Sequence, residues 1–331
     1  IPDQDIKGSI LLNDQNLTIR SEIKFDMNQI VNYEQYFKLY GLEQFTGVLT
    51  IKDDLASLDL ETDLSNTRIS SAIDDLNKDK GTNLKTIIKI KDLSKPTYFI
   101  KNSNFKSYIG PNNTGYFSFG NDYDRDIQLL DYSEGFHIFL SLNKLDTNKL
   151  SFSNEVNKSL DLISIKLKTK ELNFLENTYN DQEFEINFKE NNINVVFAGK
   201  DLNGLIKVDN TGFMRIDLFD TKFEFKGLDI VESQSNFEIG DINLRFVGKN
   251  IQTYDDLFQD IDFYLLRNER ITTIDNINVS STNLNIGPYK NNEKAYISYN
   301  KTNDMYKVRG SYKINNEKAP LKALIDYDFE Y

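Results

Sequence analysis

Residues 184–219 read FEINFKENNINVVFAGKDLNGLIKVDNTGFMRIDLF, and apolar and polar residues alternate through most of this stretch. Because successive side chains of a β-strand point to opposite faces, such a period-two pattern is typical of strands with one apolar face. The same alternation occurs at residues 17–25 and again at residues 323–331. The sequence therefore predicts an all-β fold.

Short polar turns separate these strands, among them residues 191–192 and 209–212. Turns of this kind join consecutive strands into hairpins, in which the two strands are antiparallel. Few connections are long enough to hold a crossover helix, so we expect a mainly antiparallel meander and not a parallel α/β sheet.

One amphipathic helix is predicted near residues 27–40. Ile30, Tyr33, Phe37 and Tyr40 recur there at helical spacing. The fold class is therefore all-β with one or two short helices. The polar stretch 65–81 is compatible with a loop that carries one helical turn.

A faint internal repeat suggests how the chain is organised. Residues 184–193 resemble residues 261–271 at an offset of about 77 positions. Repeated meander units that contact mainly their neighbours build quasi-one-dimensional β architectures. We expect residues 1–150 to form the N-terminal part of one β-groove, including the helix near 27–40. Residues 151–331 are expected to continue the same groove with repeated units.

Charge and composition exclude several classes of protein. The formal net charge is −12, which argues against nucleic acid as a partner because that binding requires clustered cations. The chain has no cysteine, so disulfides, thiolate metal sites and cysteine nucleophiles are excluded. It begins without Met, signal peptide or membrane-spanning apolar run, and we expect it to be a segment of a longer protein.

Neither a catalytic site nor a metal site is predicted. Asp122, Asp124 and Asp126 have the opening spacing of a calcium loop, but Ile127 and Ser133 stand where that loop needs Gly and Glu. The only histidine, at 137, alternates to the side opposite its apolar neighbours, and no Gly-x-Ser-x-Gly motif supplies a nucleophile for it. We therefore expect no enzyme activity, no cofactor and no metal.

Three segments resemble the AsmA-like proteins of the YhdP and TamB type, which are bridge-like proteins of the Gram-negative cell envelope. The segments are residues 47–93, 165–225 and 242–312, and the most recognisable feature is the Gly-x-h-x-h opening, with h an apolar residue, at 204–208 and 212–216. The resemblance implies an elongated, curved sheet that forms a groove, apolar inside and polar outside.

The resemblance also implies a function, which is to carry phospholipids along the hydrophobic groove between the inner and outer membranes. The implied location is the periplasm, with anchoring to the inner membrane through a segment outside this sequence. The implied partners are phospholipid acyl chains and, through the full-length protein, envelope proteins of both membranes.

The residues predicted to line the groove and bind lipid are the apolar members of the alternating strands. They are Ile163, Ile165, Leu167, Phe184, Ile186, Phe188, Ile193, Val195, Phe197, Ile206, Val208, Met214, Ile216, Leu218, Phe223 and Phe225. An alternative interpretation is a surface or secreted β-sandwich that serves as a binding or adhesion module without catalytic activity. Such a module would bury the same residues against a second sheet and bind through its polar loops.

Overall fold

The structure is a computed structural model. It divides into two compact units, Ile1–Leu175 (unit 1) and Glu176–Tyr331 (unit 2). The boundary between the units lies after residue 175, whereas the sequence predicted one after residue 150. The described residues are 7–13, 16–29, 37–53, 55–131, 134–150, 161–174, 177–223, 241–253, 256–288, 294–303, 305–314 and 324–330. Most of them are in β-strands, so the predicted all-β class with few short helices is confirmed.

Unit 1 contains one main sheet and a small two-stranded one. Its strands are β1 (Lys7–Asn13), β2 (Asn16–Asp26), β3 (Phe37–Tyr40), β4 (Leu42–Lys52), β5 (Leu55–Thr62), β6 (Arg68–Ser71), β7 (Thr86–Lys91), β8 (Thr97–Lys101), β9 (Phe105–Ile109), β10 (Gly115–Phe119), β11 (Phe136–Asp146) and β12 (Leu162–Phe174). In the main sheet β1, β2, β4, β5, β7, β8, β9 and β10 pair in that order as antiparallel neighbours. The strands β11 and β12 follow in parallel, and β3 pairs only with β6.

Unit 2 continues with strands of similar length. They are β13 (Asn177–Lys189), β14 (Asn192–Ala198), β15 (Gly204–Val208), β16 (Met214–Phe219), β17 (Ile242–Gln252), β18 (Leu257–Arg267), β19 (Ile271–Ser281), β20 (Leu284–Gly287), β21 (Tyr296–Asn300), β22 (Met305–Ile314) and β23 (Leu324–Glu330). Each strand from β13 to β19 pairs with the next, and β20 and β21 both lie between β19 and β22. The last strand, β23, pairs with β22.

Among the strand pairs that the structure describes, three depart from the predicted antiparallel meander. β10 and β11, β11 and β12, and β16 and β17 are parallel. A parallel pair needs a connection of a dozen or more residues to return the chain to the same end of the sheet. The three connections meet this requirement, since they run over residues 120–135, 147–161 and 220–241.

The helix predicted near 27–40 is wrong at both of its described ends. Met27–Gln29 forms one 3-10 turn, and Phe37–Tyr40 is strand β3. Residues 30–36 lie outside the described residues. Residues 37–40 form a strand because their backbone pairs with that of β6. The helical spacing of four apolar residues gave no indication of this pairing.

Helical structure in the described residues is confined to short segments. The one α-helix, α1 (Asp124–Gln128), contributes Ile127 to a buried cluster with Tyr116, Tyr123 and Phe139. A 3-10 turn at Asp74–Leu76 matches the helical turn considered for the polar stretch 65–81.

Candidate functional site

The apolar side chains of unit 2 form three continuous rows across β13 to β18. Residues that lie directly opposite each other on neighbouring strands share a face of the sheet, and the observed register links one apolar residue to the next through all six strands. The first row is Phe188, Ile193, Val208, Met214, Leu244 and Leu265. The second row is Ile186, Val195, Ile206, Ile216, Phe246 and Phe263. The third row is Phe184, Phe197, Gly204, Leu218, Gly248 and Ile261. We call the surface formed by these rows the apolar face of unit 2.

Burial differs between the rows. Phe197 and Leu218 of the third row are 6% and 7% exposed, whereas every side chain of the first and second rows is partly exposed. Aromatic rings cover part of the surface, because Phe246 and Phe263 stack with centroids 5.2 Å apart. Within the described part of unit 2, the apolar face is therefore buried at the centre of the third row, whereas the ends of that row, Phe184 and Ile261, and the other two rows are partly exposed.

The opposite face of the same strands is mainly polar, with the apolar side chains of Val196 and Phe219 exposed on it. Arg245 and Asp262 form a two-pronged ion pair there, with Nε to Oδ1 at 3.0 Å and Nη2 to Oδ2 at 2.8 Å. The guanidinium of Arg245 also lies 5.3 Å from the ring centroid of Tyr264, and hydrogen bonding to Asp262 raises the pKa of Arg245. A sheet with one apolar and one charged face is what the alternation of the sequence requires.

Most of the predicted lining residues are brought together on this face. The eleven from Phe184 to Leu218 that the sequence predicted all lie in the three rows. Phe223 follows β16 outside any strand, with its ring edge-on to that of Tyr179, and Phe225 lies outside the described residues. Whether any of these side chains binds lipid stays a prediction.

Apart from Gly204 and Gly248, five residues of the rows were not among the predicted lining residues, namely Leu244, Phe246, Ile261, Phe263 and Leu265. The signal that could have found three of them is the internal repeat. Adding 77 to the positions of Phe184, Ile186 and Phe188 on β13 gives residues 261, 263 and 265 on β18. Each of these β18 residues lies in the same row as its β13 counterpart.

The remaining predicted residues, Ile163, Ile165 and Leu167, lie on β12 of unit 1. Across β12, β11 and β10, Ile165 lies beside Ile138, which lies beside Phe117. In the same way Leu167 lies beside Leu140, which lies beside Phe119. An apolar surface therefore also crosses β10 to β12 of unit 1.

A segment of residues 63–84, which we call the strap, lies over part of this surface. Leu64 of the strap is buried against Phe45 and Met27, and Leu84 packs on the same cluster. Farther along, Asp75 accepts hydrogen bonds from the backbone N and Nδ2 of Asn143, at 2.8 and 2.7 Å. The strap thus reaches from β5 to β11.

Two buried charged residues, Lys78 and Glu43, fix the base of the strap. The ammonium group of Lys78 donates to the carbonyl oxygens of Leu64 and Thr67, at 2.6 and 2.7 Å. Glu43, 2% exposed, accepts from the backbone N of Asn66 and from Oγ1 of Thr67, both at 2.9 Å. Burial lowers the pKa of Lys78, and the negative charges of Glu43 and Asp79 oppose this shift.

The groups considered for chemistry have separate structural partners. Nδ1 of His137 lies 2.8 Å from Oγ of Ser164, and burial lowers the pKa of this histidine. His137 does lie on the side opposite Ile138, but it is only partly exposed because that side carries α1.

The aspartates with calcium-loop spacing do not converge on one point. Asp122 bonds to Ser141, Asp124 pairs with Lys106, and Asp126 pairs with Lys166. No group of three or more metal-ligating side chains is found in the described ranges.

No protein-family model, curated protein or solved structure matches this chain. Among the residues that the structure describes, no helix is long and apolar enough to span a bilayer.

Proposed function

We propose that this chain binds phospholipid acyl chains along the apolar face of unit 2 and lets them move across the strands. The observation that carries the proposal is the continuity of the three apolar rows over six strands, two of the rows being partly exposed. Acyl chains that cover these rows bury apolar area without needing a directional contact, because the hydrophobic effect is non-directional.

The energetics favour an occupant on this face. Full burial of a large apolar side chain is worth roughly 1.5–3 kcal/mol, and the partly exposed residues of the first and second rows leave some of that stabilisation unrealised. Contiguous apolar patches larger than a few hundred Å² are uncommon on monomeric soluble proteins and mark interaction sites. The polar opposite face can remain in water while lipid occupies the apolar one.

The resemblance to AsmA-like proteins supports the rest of the proposal. Phospholipid would pass between the inner and outer membranes in the periplasm, and envelope proteins would hold the ends of the full-length protein. No catalytic step is part of this function.

Two adjacent valines on β14 provide a sharp test. Val195 lies in the second row, and Val196 points to the polar face with 48% of its surface exposed. The Val195→Asp and Val196→Asp variants therefore place the same charge one residue apart on opposite faces. We expect the purified wild type and Val196→Asp to carry phospholipid, detected by native mass spectrometry and lipid extraction, and Val195→Asp to lose it while its circular dichroism stays that of the wild type.

The alternative β-sandwich module gives a different result. If a second layer covered the apolar face, Val195→Asp would bury an unpaired carboxylate and unfold unit 2, because a charge buried without a partner is very costly. A lipid-free wild type together with an unfolded Val195→Asp variant would overturn the proposal in favour of a closed core.

A further inference from the structure

The strap of unit 1 borders a partly open cleft of about 710 Å³ above the apolar surface. Phe105, Phe117 and Phe119, on β9 and β10, form its floor. Leu76 and Leu84 of the strap contribute apolar surface on the other side. Small-molecule sites in proteins are clefts of roughly 300–1,000 Å³ with mainly apolar walls and a few polar groups, and this cleft has that size and character.

The chemistry of the rim restricts the ligand. Asp75 and Asp79 lie along the cleft, and among the residues that the structure describes Lys78 is the only cationic one that lines it. The ammonium group of Lys78 donates to three carbonyl oxygens, those of Leu64, Thr67 and Asp79, so it is engaged with the strap itself. An anionic head group would meet two carboxylates without a compensating cation from the lining.

The other rim residues are uncharged and able to hydrogen-bond. Thr82 and Asn83 of the strap face the cleft together with Ser103 and Asn104 from the β8 to β9 turn. Hydroxyl and amide groups suit a polyol, since each can both donate and accept hydrogen bonds. The walls suit an unbranched alkyl chain.

From this arrangement we infer that the strapped cleft is a binding site for a single-chain amphiphile with an uncharged polyol head, such as a monoacylglycerol. The alkyl chain lies on the three phenylalanine rings, and the head stays at the rim among the hydroxyl and amide groups. The strap crosses above the alkyl chain and covers one side of the site. The site belongs to unit 1 alone, so the inference goes beyond the proposed function and holds whether or not unit 2 carries phospholipid.

The absence of tryptophan from the chain permits a direct test. The Phe117→Trp variant places a single tryptophan on the floor of the cleft, and its emission is recorded with excitation that is selective for tryptophan over tyrosine. The matched control is Phe219→Trp, which places the emitter on β16 at a position that is 45% exposed. The probe is a monoacylglycerol with a brominated chain, which quenches tryptophan only on close contact, used below its aggregation concentration.

Saturable quenching of Phe117→Trp with little quenching of Phe219→Trp is the expected result. A fatty acid with the same brominated chain should bind at least about tenfold more weakly, because like charges placed together are strongly unfavourable. The Asp79→Asn substitution in the Phe117→Trp background should reduce that difference. Adding Val195→Asp to the same background should leave quenching unchanged, which separates this site from the apolar face of unit 2.

Three results would overturn the inference. The first is no quenching in folded Phe117→Trp and in a second reporter, Phe119→Trp. The second is equal quenching of the control emitter, which would indicate non-specific association. The third is equal affinity for the fatty acid, which would refute the assignment of the head group.

Discussion

Replacing Lys78 with methionine removes the ammonium group at the base of the strap while keeping most of the side-chain volume. Its loss leaves the carbonyl oxygens of Leu64 and Thr67 without their short hydrogen bonds of 2.6 and 2.7 Å. It also removes a positive charge that interacts electrostatically with Glu43, which is 2% exposed. Hydrogen bonds to charged groups contribute roughly 1.5–3 kcal/mol each, and relief of the buried cation offsets part of that, so we expect a loss of about 3 kcal/mol.

That loss translates into a measurable change in melting temperature. For a unit of this size each kcal/mol lowers Tm by roughly 2–4 °C, so Lys78→Met should melt about 6–12 °C below the wild type in calorimetry. Lys85→Met is the matched control, because the ammonium of Lys85 pairs with Glu61 at the exposed surface, where ion pairs contribute little. Hydrogen exchange of residues 63–84 should accelerate only in Lys78→Met, because the strap opens before the sheet unfolds.

A double-mutant cycle tests the electrostatic part of the reasoning. Glu43→Gln removes the negative charge, so combining it with Lys78→Met should cost less than the sum of the two single losses. If Lys78→Met melted within about 2 °C of Lys85→Met, or if the two changes were additive, the buried pair would not hold the strap and the reasoning would be refuted.

Further predictions concern His137 and the packing of unit 2. Burial lowers the pKa of His137 below its ordinary 6.5, so protonation of this histidine favours the unfolded chain. The stability that it contributes is therefore present above about pH 6.5 and is lost as the pH falls through the lowered native pKa. The imidazole of His137 should titrate below 6.5 in NMR, and a value at or above 6.5 would contradict its burial. Gly204→Ala should destabilise unit 2 by roughly 1–3 kcal/mol in denaturant unfolding, because the added Cβ would lie 2.6 Å from the carbonyl oxygen of Asp217. Gly287→Ala is the control and should have little effect, because no atom lies within 4 Å of the added Cβ. Equal losses of stability in the two variants would contradict the close packing of the third row. Arg245→Met should cost about 1 kcal/mol at low salt and less at high salt, and a loss independent of salt would show that packing rather than charge is responsible.

The strands of unit 2 were predictable because their side-chain pattern is local. Residues 184–188 and 193–197 alternate, so pairing these two strands puts all of their apolar residues on one face in a single register. The two-residue turn between the strands sets that register. The helix predicted near 27–40 failed at its C-terminal end for the opposite reason. Phe37–Tyr40 becomes a strand by pairing with Arg68–Ser71, a partner that local spacing cannot reveal.

The candidate sites divide in the same way. Membership in the three rows was mostly predictable from alternation, and the internal repeat contained the signal for Ile261, Phe263 and Leu265. The strapped cleft was not predictable, because it depends on contacts between distant parts of the chain. Asp75 is 68 positions from the asparagine at 143 that holds it, and Glu43 is 24 positions from the threonine at 67.

The sequence by itself determined that this chain forms strands with one apolar and one polar face, since a period of two leaves the backbone no other way to segregate those residues. Only the tertiary structure decided which strands are parallel, which rows are open to solvent and where the strap crosses the sheet. These outcomes depend on pairings and packing between residues far apart in the chain, and a periodic pattern carries no information about its partners.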